Sequence, residues 1–413
     1  MKIEIDQERV TSELDTLGAI SQEAPPVVTR VVFTEADVEA RQFVKTLCAE
    51  AGLAVREDAV GNTFGRWVGE NPALEAVGTG SHIDAIPHAG RFDGTVGVLG
   101  GLEAIRALAH AGYKPRRSIE LVIFTSEEPT RFGIGCLGSR LLCGPLDPAT
   151  AGARIDRDGV TLDNARWAAG FEGALESVPV PPGYYSAFVE MHIEQGPILE
   201  QHSIPIGVVT AIAAPASLRV IVEGEGGHAG AVLMPDRHDA FLAAAEIALA
   251  VEASARSSGS NDTVGTVGVC DVFPGAVNSI PSRVRMEIDV RDIDEARRDA
   301  VLQKIQKASE EIASRRGVKS RVELVNADPP AHCDPSVVET LVQSSEAQGL
   351  PFERMISRAY HDSLFMSRIA PTAMLFIPCR GGVSHRPDEY ASPEAIAQGT
   401  LVLAEALARL SSQ

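Results

Sequence analysis

The chain has 413 residues, 45% hydrophobic and 23% charged, and its 56 acidic against 37 basic side chains give a formal net charge of −19. That is globular composition, long enough for about two or three domains, so a wholly disordered chain is excluded. The acidic balance argues against nucleic acid or an anionic membrane surface as the main partner, because the doublets Arg116-Arg117 and Arg315-Arg316 are too short to form a basic patch.

The start, Met1-Lys2-Ile3-Glu4-Ile5-Asp6, lacks the charged-then-apolar pattern of a secretory signal. No apolar run reaches the roughly 18 residues that span a bilayer, so a cytoplasmic protein is expected. The cysteines (Cys48, Cys136, Cys143, Cys270, Cys333, Cys379) show no CxxC spacing, which predicts reduced, mostly buried thiols rather than a disulfide framework or a thiolate zinc site.

In chain order, residues 36–52 are patterned as a helix. Gly94 to Gly101 leads into a helix over Leu102 to Ala111, its small residues suited to tight packing on a sheet, and Leu121-Val122-Ile123-Phe124 suits a strand buried on both faces. From about 211 the style changes. Ser217 to Val222 and Val284 to Val290 alternate like half-exposed strands, and Val301, Leu302, Ile305, Ala308 and Ile312 recur at helical spacing between a capping Asp294 and a terminating Gly317. After about 325 the first style returns, with Thr372 to Ile377 as a buried strand and Pro393 to Leu410 as a closing helix. The expected fold is an α/β domain over 1–210 and 326–413, interrupted by an inserted α+β domain over 211–325. Residues 1–30 and 151–186 carry no chemistry that the sequence makes readable.

Four clusters place histidines and carboxylates where strands should end. In Ser81-His82-Ile83-Asp84, extended backbone would put both side chains on one side, letting Asp84 hydrogen-bond the second ring nitrogen of a metal-bound His82. Asp93 follows in a glycine-rich loop, placed to bridge two metals. Glu127-Glu128 comes directly after the buried run at 121–124, at the carboxyl end of a strand where open α/β sheets keep their sites. Adjacent carboxylates repel, so they need a cation or a raised pKa to coexist in a cleft. His192-Ile193-Glu194-Gln195 and Gly381-Gly382-Val383-Ser384-His385 complete the set. His82, Asp93, Glu128, His192 and His385 are nitrogen and oxygen donors without a thiolate, which suits a hydrolytic pair of zinc or manganese ions, with Glu127 as general base to water. Any one of these residues alone reads more readily as structural; the recurrence beside glycine-rich turns carries the argument.

The stretches GSHIDAIPHAGRFDGTVGVLGGLEAI, FTSEEPTRFGIGCLGSR, HIEQGPILE and GGVSHRPDEY resemble the metal-dependent amidase branch of the M20 peptidase family, from about residue 35 to the C-terminus. That branch contains N-carbamoyl-L-amino acid hydrolases, β-ureidopropionase-like enzymes, allantoate amidohydrolases and ureidoglycolate amidohydrolases. The stretches at 207–217 and Ser357 to Met366 are most similar to the ureidoglycolate subgroup, with Tyr360 standing where glycine is usual elsewhere in the branch.

The resemblance implies a di-metal exopeptidase-like catalytic domain, a mixed sheet flanked by helices, whose inserted domain serves as lid and dimerisation domain. It implies one metal held by His82, Asp93 and His192 and another by Asp93, Glu128 and His385, manganese foremost with zinc or cobalt as alternatives. Glu127 would be the base, Asp84 would orient His82, and Gln195 would face the substrate. In the lid, His228 would stabilise the oxyanion, while Asn278 and Arg291 would bind the substrate carboxylate across a homodimer interface. Tyr360 would exclude the second ureido group of allantoate and hydrogen-bond a small hydroxylated substrate. Asp362 is expected to buttress the site, and His361 to stand behind the ligands.

The implied activity is hydrolysis of the ureido C–N bond of a small carboxylated ureide, ureidoglycolate first, within purine and ureide (allantoin) nitrogen recovery. N-carbamoyl-L-amino acid hydrolase, allantoate amidohydrolase and exopeptidase are the neighbouring alternatives. From another class stands a non-catalytic binding protein of the same fold, which would be expected to have lost Glu127 or a ligand.

Overall fold

Four apolar runs become neighbouring parallel strands in the computed structural model, which describes residues 2–413. Ile119–Phe124, Ala76–His82, Tyr185–Ile193 and Thr372–Ile377 lie side by side in that order. Three are buried at every position and Tyr185–Ile193 at all but one, the expected pattern when helices cover both faces. Antiparallel strands extend the sheet on each side, Thr63–Trp67 and Ala54–Glu57 beyond Ile119–Phe124, and Ile206–Ile212 beyond Thr372–Ile377.

The helix that begins after Asp93-Gly94 runs from Thr95 to His110, longer than the expected 102–111, because Gly97, Gly100 and Gly101 pack inside it rather than ahead of it. A Cβ on Gly97 would run into the main-chain carbonyl of Met191, so the small residues do allow the close approach read from the sequence. Glu35–Glu50 and Pro393–Ser411 fall within a residue or two of expectation.

The chain divides into two units. The first runs to Thr210 and resumes over Cys333–Ser357 and His361–Gln413; the second holds Ala211–His332 and Arg358–Tyr360. The expected return at 326 falls inside the strand Lys319–Ala327, and the second unit continues past it to His332. Periodicity marks where a strand pattern fades, whereas the unit boundary follows the packing of the chain beyond it.

The second unit is a four-stranded antiparallel sheet in the order Val264–Phe273, Arg283–Asp292, Ala214–Glu223, Lys319–Ala327. Alternate residues of Arg283–Asp292 are buried, and Val284, Met286, Ile288 and Val290 meet Ile247, Val301 and Ile305 of two covering helices, Ala240–Arg256 and Glu295–Arg316. Each such aliphatic side chain contributes roughly 1.5–3 kcal/mol on burial. Asp294 caps the second helix by accepting from Arg297 N, and Gly317 ends it in the left-handed region at φ 66°, both as the sequence predicts. Among the described residues no helix is long and apolar enough to cross a membrane.

Candidate active site

The four parallel strands deliver the predicted donors at their carboxyl ends. His82 is the last residue of its strand, and its Nδ1 lies 3.0 Å from the main-chain carbonyl of Asp84 but 3.6 Å from the Asp84 carboxylate. The nearest acceptor to that ring nitrogen is thus the Asp84 carbonyl, with the Asp84 carboxylate beside it. The strand ends at His82, so side-chain alternation does not extend to residue 84. The Asp84 carboxylate turns instead to the next strand end, where its two oxygens accept from the main-chain N–H groups of Glu127 (3.2 Å) and Glu128 (3.1 Å).

Asp93 is the centre of the cluster. Its Oδ1 lies 3.1 Å from His192 Nε2 and 3.5 Å from His82 Nε2, while Oδ2 lies 3.3 Å from His385 Nε2. His385 Nε2 also approaches Glu128 Oε1 at 3.2 Å. Two donor groups result, His82–Asp93–His192 and Asp93–Glu128–His385, each with its ligand atoms within 4.8 Å of one another. His192 Nδ1 is 2.9 Å from the Ile193 carbonyl. With the Nδ1 positions of His82 and His192 donating to carbonyls, their Nε2 lone pairs face a carboxylate, an arrangement that a cation resolves. Gly94 N–H also reaches His192 Nε2 at 3.1 Å. The donor set of imidazole nitrogens and carboxylate oxygens fits two divalent ions.

Electrostatics point the same way. Burial opposes charge on His82 and His192, yet bonds from His82 to Asp84 and Asp93, and from His192 to Asp93, hold both imidazoles above their ordinary pKa. Hydrogen bonds to Asp93 and Glu128 push His385 up to about 11. Burial also raises Glu127, well above the carboxylate range, and Glu128, each opposed by nearby histidine. A pocket that draws positive charge to its imidazoles and tolerates carboxylates only with compensation is built for cations.

Several contacts were not legible beforehand. Glu389 accepts from Phe92 N (2.8 Å) and Asp93 N (3.1 Å), and its other oxygen accepts from Ser384 Oγ (3.0 Å). Ser384 also lies 2.9 Å from Asp93 Oδ2, and Gln195 Nε2 donates to that oxygen at 2.7 Å. Gln195 thus grips Asp93. Glu190, fully buried, accepts from Ser81 and Ser363, and Asp362 accepts from Ser139. The Cys136 thiol donates to Glu127 Oε1 at 3.4 Å. His361 is buried with Nε2 2.9 Å from Ser357 Oγ, its ring edge-on to His192. Ser126, Cys136, Gln195 and His385 all take positive φ without being glycine, a strain that concentrates at functional sites. The one available signal was Glu389, an unassigned carboxylate in the motif around His385.

The remaining predicted residues belong to the second unit. His228 and Asn278 come together on a two-stranded ribbon, where Gly227–His228 pairs with Ser279–Ile280 and Ala229 N donates to the Asn278 carbonyl at 2.9 Å. Both are exposed. Arg291 lies at the far end of Arg283–Asp292, roughly 27 Å along the strand from Arg283 at about 3.4 Å per residue. Its Nε donates to Asp289 at 2.8 Å, and Nη1 to the Arg358 carbonyl at 3.3 Å. The Tyr360 hydroxyl donates to Asp328 Oδ2 at 2.8 Å.

Fold and site define the class: a hydrolase with paired cation-fitting donor sets at the ends of a mixed sheet. The profile of peptidase family M20/M25/M40 matches residues 78–409, and the chain belongs to that family. It is 55% identical to ureidoglycolate hydrolase of Arabidopsis thaliana over 99% of this chain and 87% of that protein. It is 37% identical to N-carbamoyl-L-amino-acid amidohydrolase of Pseudomonas sp. (strain NS671), over 98% of each. The crystal structure of AtUAH in complex with (S)-hydroxyglycine matches it with a TM-score of 0.92 at 55% identity, covering 100% of this chain and 99% of that one.

Proposed function

We propose that this chain hydrolyses the ureido C–N bond of a small carboxylated ureide, ureidoglycolate foremost, yielding glyoxylate, two molecules of ammonia and carbon dioxide. The observation that carries the proposal is Asp93, whose two oxygens join the donor set of His82 and His192 to that of Glu128 and His385. The likeness to a protein named ureidoglycolate hydrolase supports that substrate over carbamoyl amino acids.

Two divalent ions, manganese foremost with zinc or cobalt as alternatives, would be held by these residues. When bound they supply Lewis-acid polarisation of the ureido carbonyl and lower the pKa of water in the site. Glu127 takes the proton from the attacking water and returns it to the departing nitrogen. Asp84 holds the Glu127 main chain, and Gln195 and Ser384 hold Asp93 Oδ2. Water adds to the ureido carbonyl, the C–N bond breaks with release of ammonia, and the carbamate loses carbon dioxide. The remaining hemiaminal expels the second ammonia to give glyoxylate.

The second unit supports a homodimer. Asn278 lies beside the two-stranded ribbon that carries His228, whereas Arg291 nears the end of a strand in the four-stranded sheet, which supports a site that would take Arg291 from one subunit and His228 with Asn278 from its partner. His228 of the partner subunit would stabilise the oxyanion. Exposed Phe241, Leu242 and Leu249, and the unpaired outer edge of Val264–Phe273, offer a surface for pairing. The six free cysteines suit a reducing, cytoplasmic setting.

The test is ammonia release by metal-stripped protein reloaded with manganese, on fresh ureidoglycolate, allantoate and N-carbamoyl-L-amino acids, with Glu127→Gln as the blank. Turnover of ureidoglycolate, reduced about 10²- to 10⁴-fold in the variant, is expected. Turnover of the other ureides alone would overturn the substrate, and undiminished turnover by the variant would overturn the role of Glu127.

A further inference from the structure

Arg30 ends the short strand Val28–Arg30, which pairs antiparallel with Ala85–Ala89 and sets Arg30 opposite Ala85. It is among the largest fully buried side chains, at 1% exposure. Among the described residues, every acceptor of its guanidinium is a main-chain carbonyl. Nη1 donates to Ile83 at 2.7 Å, Nε to Ile20 at 3.0 Å, and Nη2 to Ile20 at 2.8 Å and to Leu17. An apolar side chain of similar volume would fill such a space at lower cost, because a buried charge forfeits its hydration. Two of those carbonyls lie at the carboxyl end of the helix Gln7–Ala19, where the helix dipole favours a cation. The third belongs to Ile83, the residue between His82 and Asp84.

We propose that Arg30 is a positioning residue for the active site, pinning the Ile83 carbonyl to the end of the N-terminal helix and so setting both neighbours of Ile83. On one side it fixes where His82 presents Nε2. On the other it fixes where Asp84 offers its carboxylate to the Glu127 and Glu128 main chain. The inference rests on the roles proposed above for His82 and Glu127.

The helix that Arg30 grips is itself anchored. Arg9 Nε and Nη2 each donate to the buried Glu103 carboxylate at 2.8 Å, and Asp6 N donates to it at 3.0 Å. Glu103 lies on the helix Thr95–His110, which starts two residues after Asp93. Arg106 on that helix holds Glu13 at 2.8 Å. The segment from Asp6 to Arg30 therefore forms a brace with one hand on the His82–Asp84 segment and the other on the helix that follows Asp93. Burial lowers the Arg30 pKa to about 10, opposed by the charges of Asp37 and Asp84, and the side chain stays protonated at neutral pH.

The experiment compares wild type, Arg30→Met, Arg30→Lys and Leu14→Ala for manganese affinity of the metal-stripped chain by calorimetry, for kcat and KM separately, and for Tm. Leu14 is fully buried on the N-terminal helix and has no polar side-chain atom to hold Arg30 or Ile83, so its truncation reports on loosening alone. Arg30→Met is expected to weaken manganese binding and lower kcat by about tenfold each, with KM within about twofold. Arg30→Lys keeps the charge but lacks the planar fork, and should fall between Met and wild type. Leu14→Ala should lower Tm while keeping wild-type affinity. Arg30→Met with wild-type affinity and kcat, or Leu14→Ala losing as much affinity at matched Tm, overturns the proposal. Should Arg30→Met not fold, Arg30→Lys with undiminished affinity and kcat overturns it equally. Wild type that binds no manganese would instead sink the metal reading on which the inference stands.

Discussion

Gly94 shows how narrowly single residues are specified around Asp93. It holds φ at 66°, and a Cβ there would lie 2.5 Å from the His82 ring while its N–H reaches His192 Nε2. Gly94→Ala should therefore retain secondary structure by circular dichroism yet bind manganese at least about tenfold more weakly, and wild-type metal content would refute this. Tyr360 modifies a sequence-based expectation. Its hydroxyl is already donated to Asp328, so toward a hydroxylated substrate it would keep only its acceptor lone pairs, and the selectivity proposed for it would rest on the bulk of the ring. Tyr360→Gly should gain allantoate hydrolysis over wild type, whereas Tyr360→Phe should not. Equal allantoate activity in wild type and Tyr360→Gly would end that reading.

At the level of elements, the two helices of the second unit are joined at one carboxylate. Glu246 on Ala240–Arg256 accepts from Arg315 and Arg316 at the end of Glu295–Arg316, and these two guanidinium groups hold its pKa down at about 2. A depressed carboxylate pKa adds stability that is fully present above the unfolded value of about 4.3 and is lost as pH falls toward the folded value. Because Arg315 is largely exposed, the contribution is small and weakens with salt. The Tm gap between wild type and Glu246→Gln should be greatest above pH 5 and shrink between pH 4 and 2.5. A gap that stays constant across that range would show that the pairing adds nothing specific.

For the whole molecule, the proposed sharing of each site between two subunits has a direct test in mixed dimers. If each site draws Arg291 from one subunit and His228 from the other, Arg291→Ala and His228→Ala chains, each inactive alone, should regain activity when co-expressed. The mixed dimer would carry one site with both lesions and one intact. Absence of complementation in purified mixed dimers would mean that both groups come from the same subunit.

The donor clusters, the Asp294 cap, the Gly317 stop and the four central strands were legible because each depends on residues a few positions apart, whose periodicity and turn chemistry act locally. The hold of Asp84 on the Glu127 and Glu128 main chain was not legible, because the strand stops at His82 and those partners lie 43 and 44 positions away. The grip of Glu389 on the Asp93 main chain spans 296 positions, and the brace of Arg30 on Ile83 spans 53. The sequence by itself determined which groups stand at strand ends and which elements carry them. Only the tertiary structure decided which of those groups share Asp93, what each buried carboxylate and guanidinium holds, and that Asn278 stands beside the His228 ribbon while Arg291 is on the four-stranded sheet. Such distances follow from which strands pair and in what register, and no local pattern encodes them.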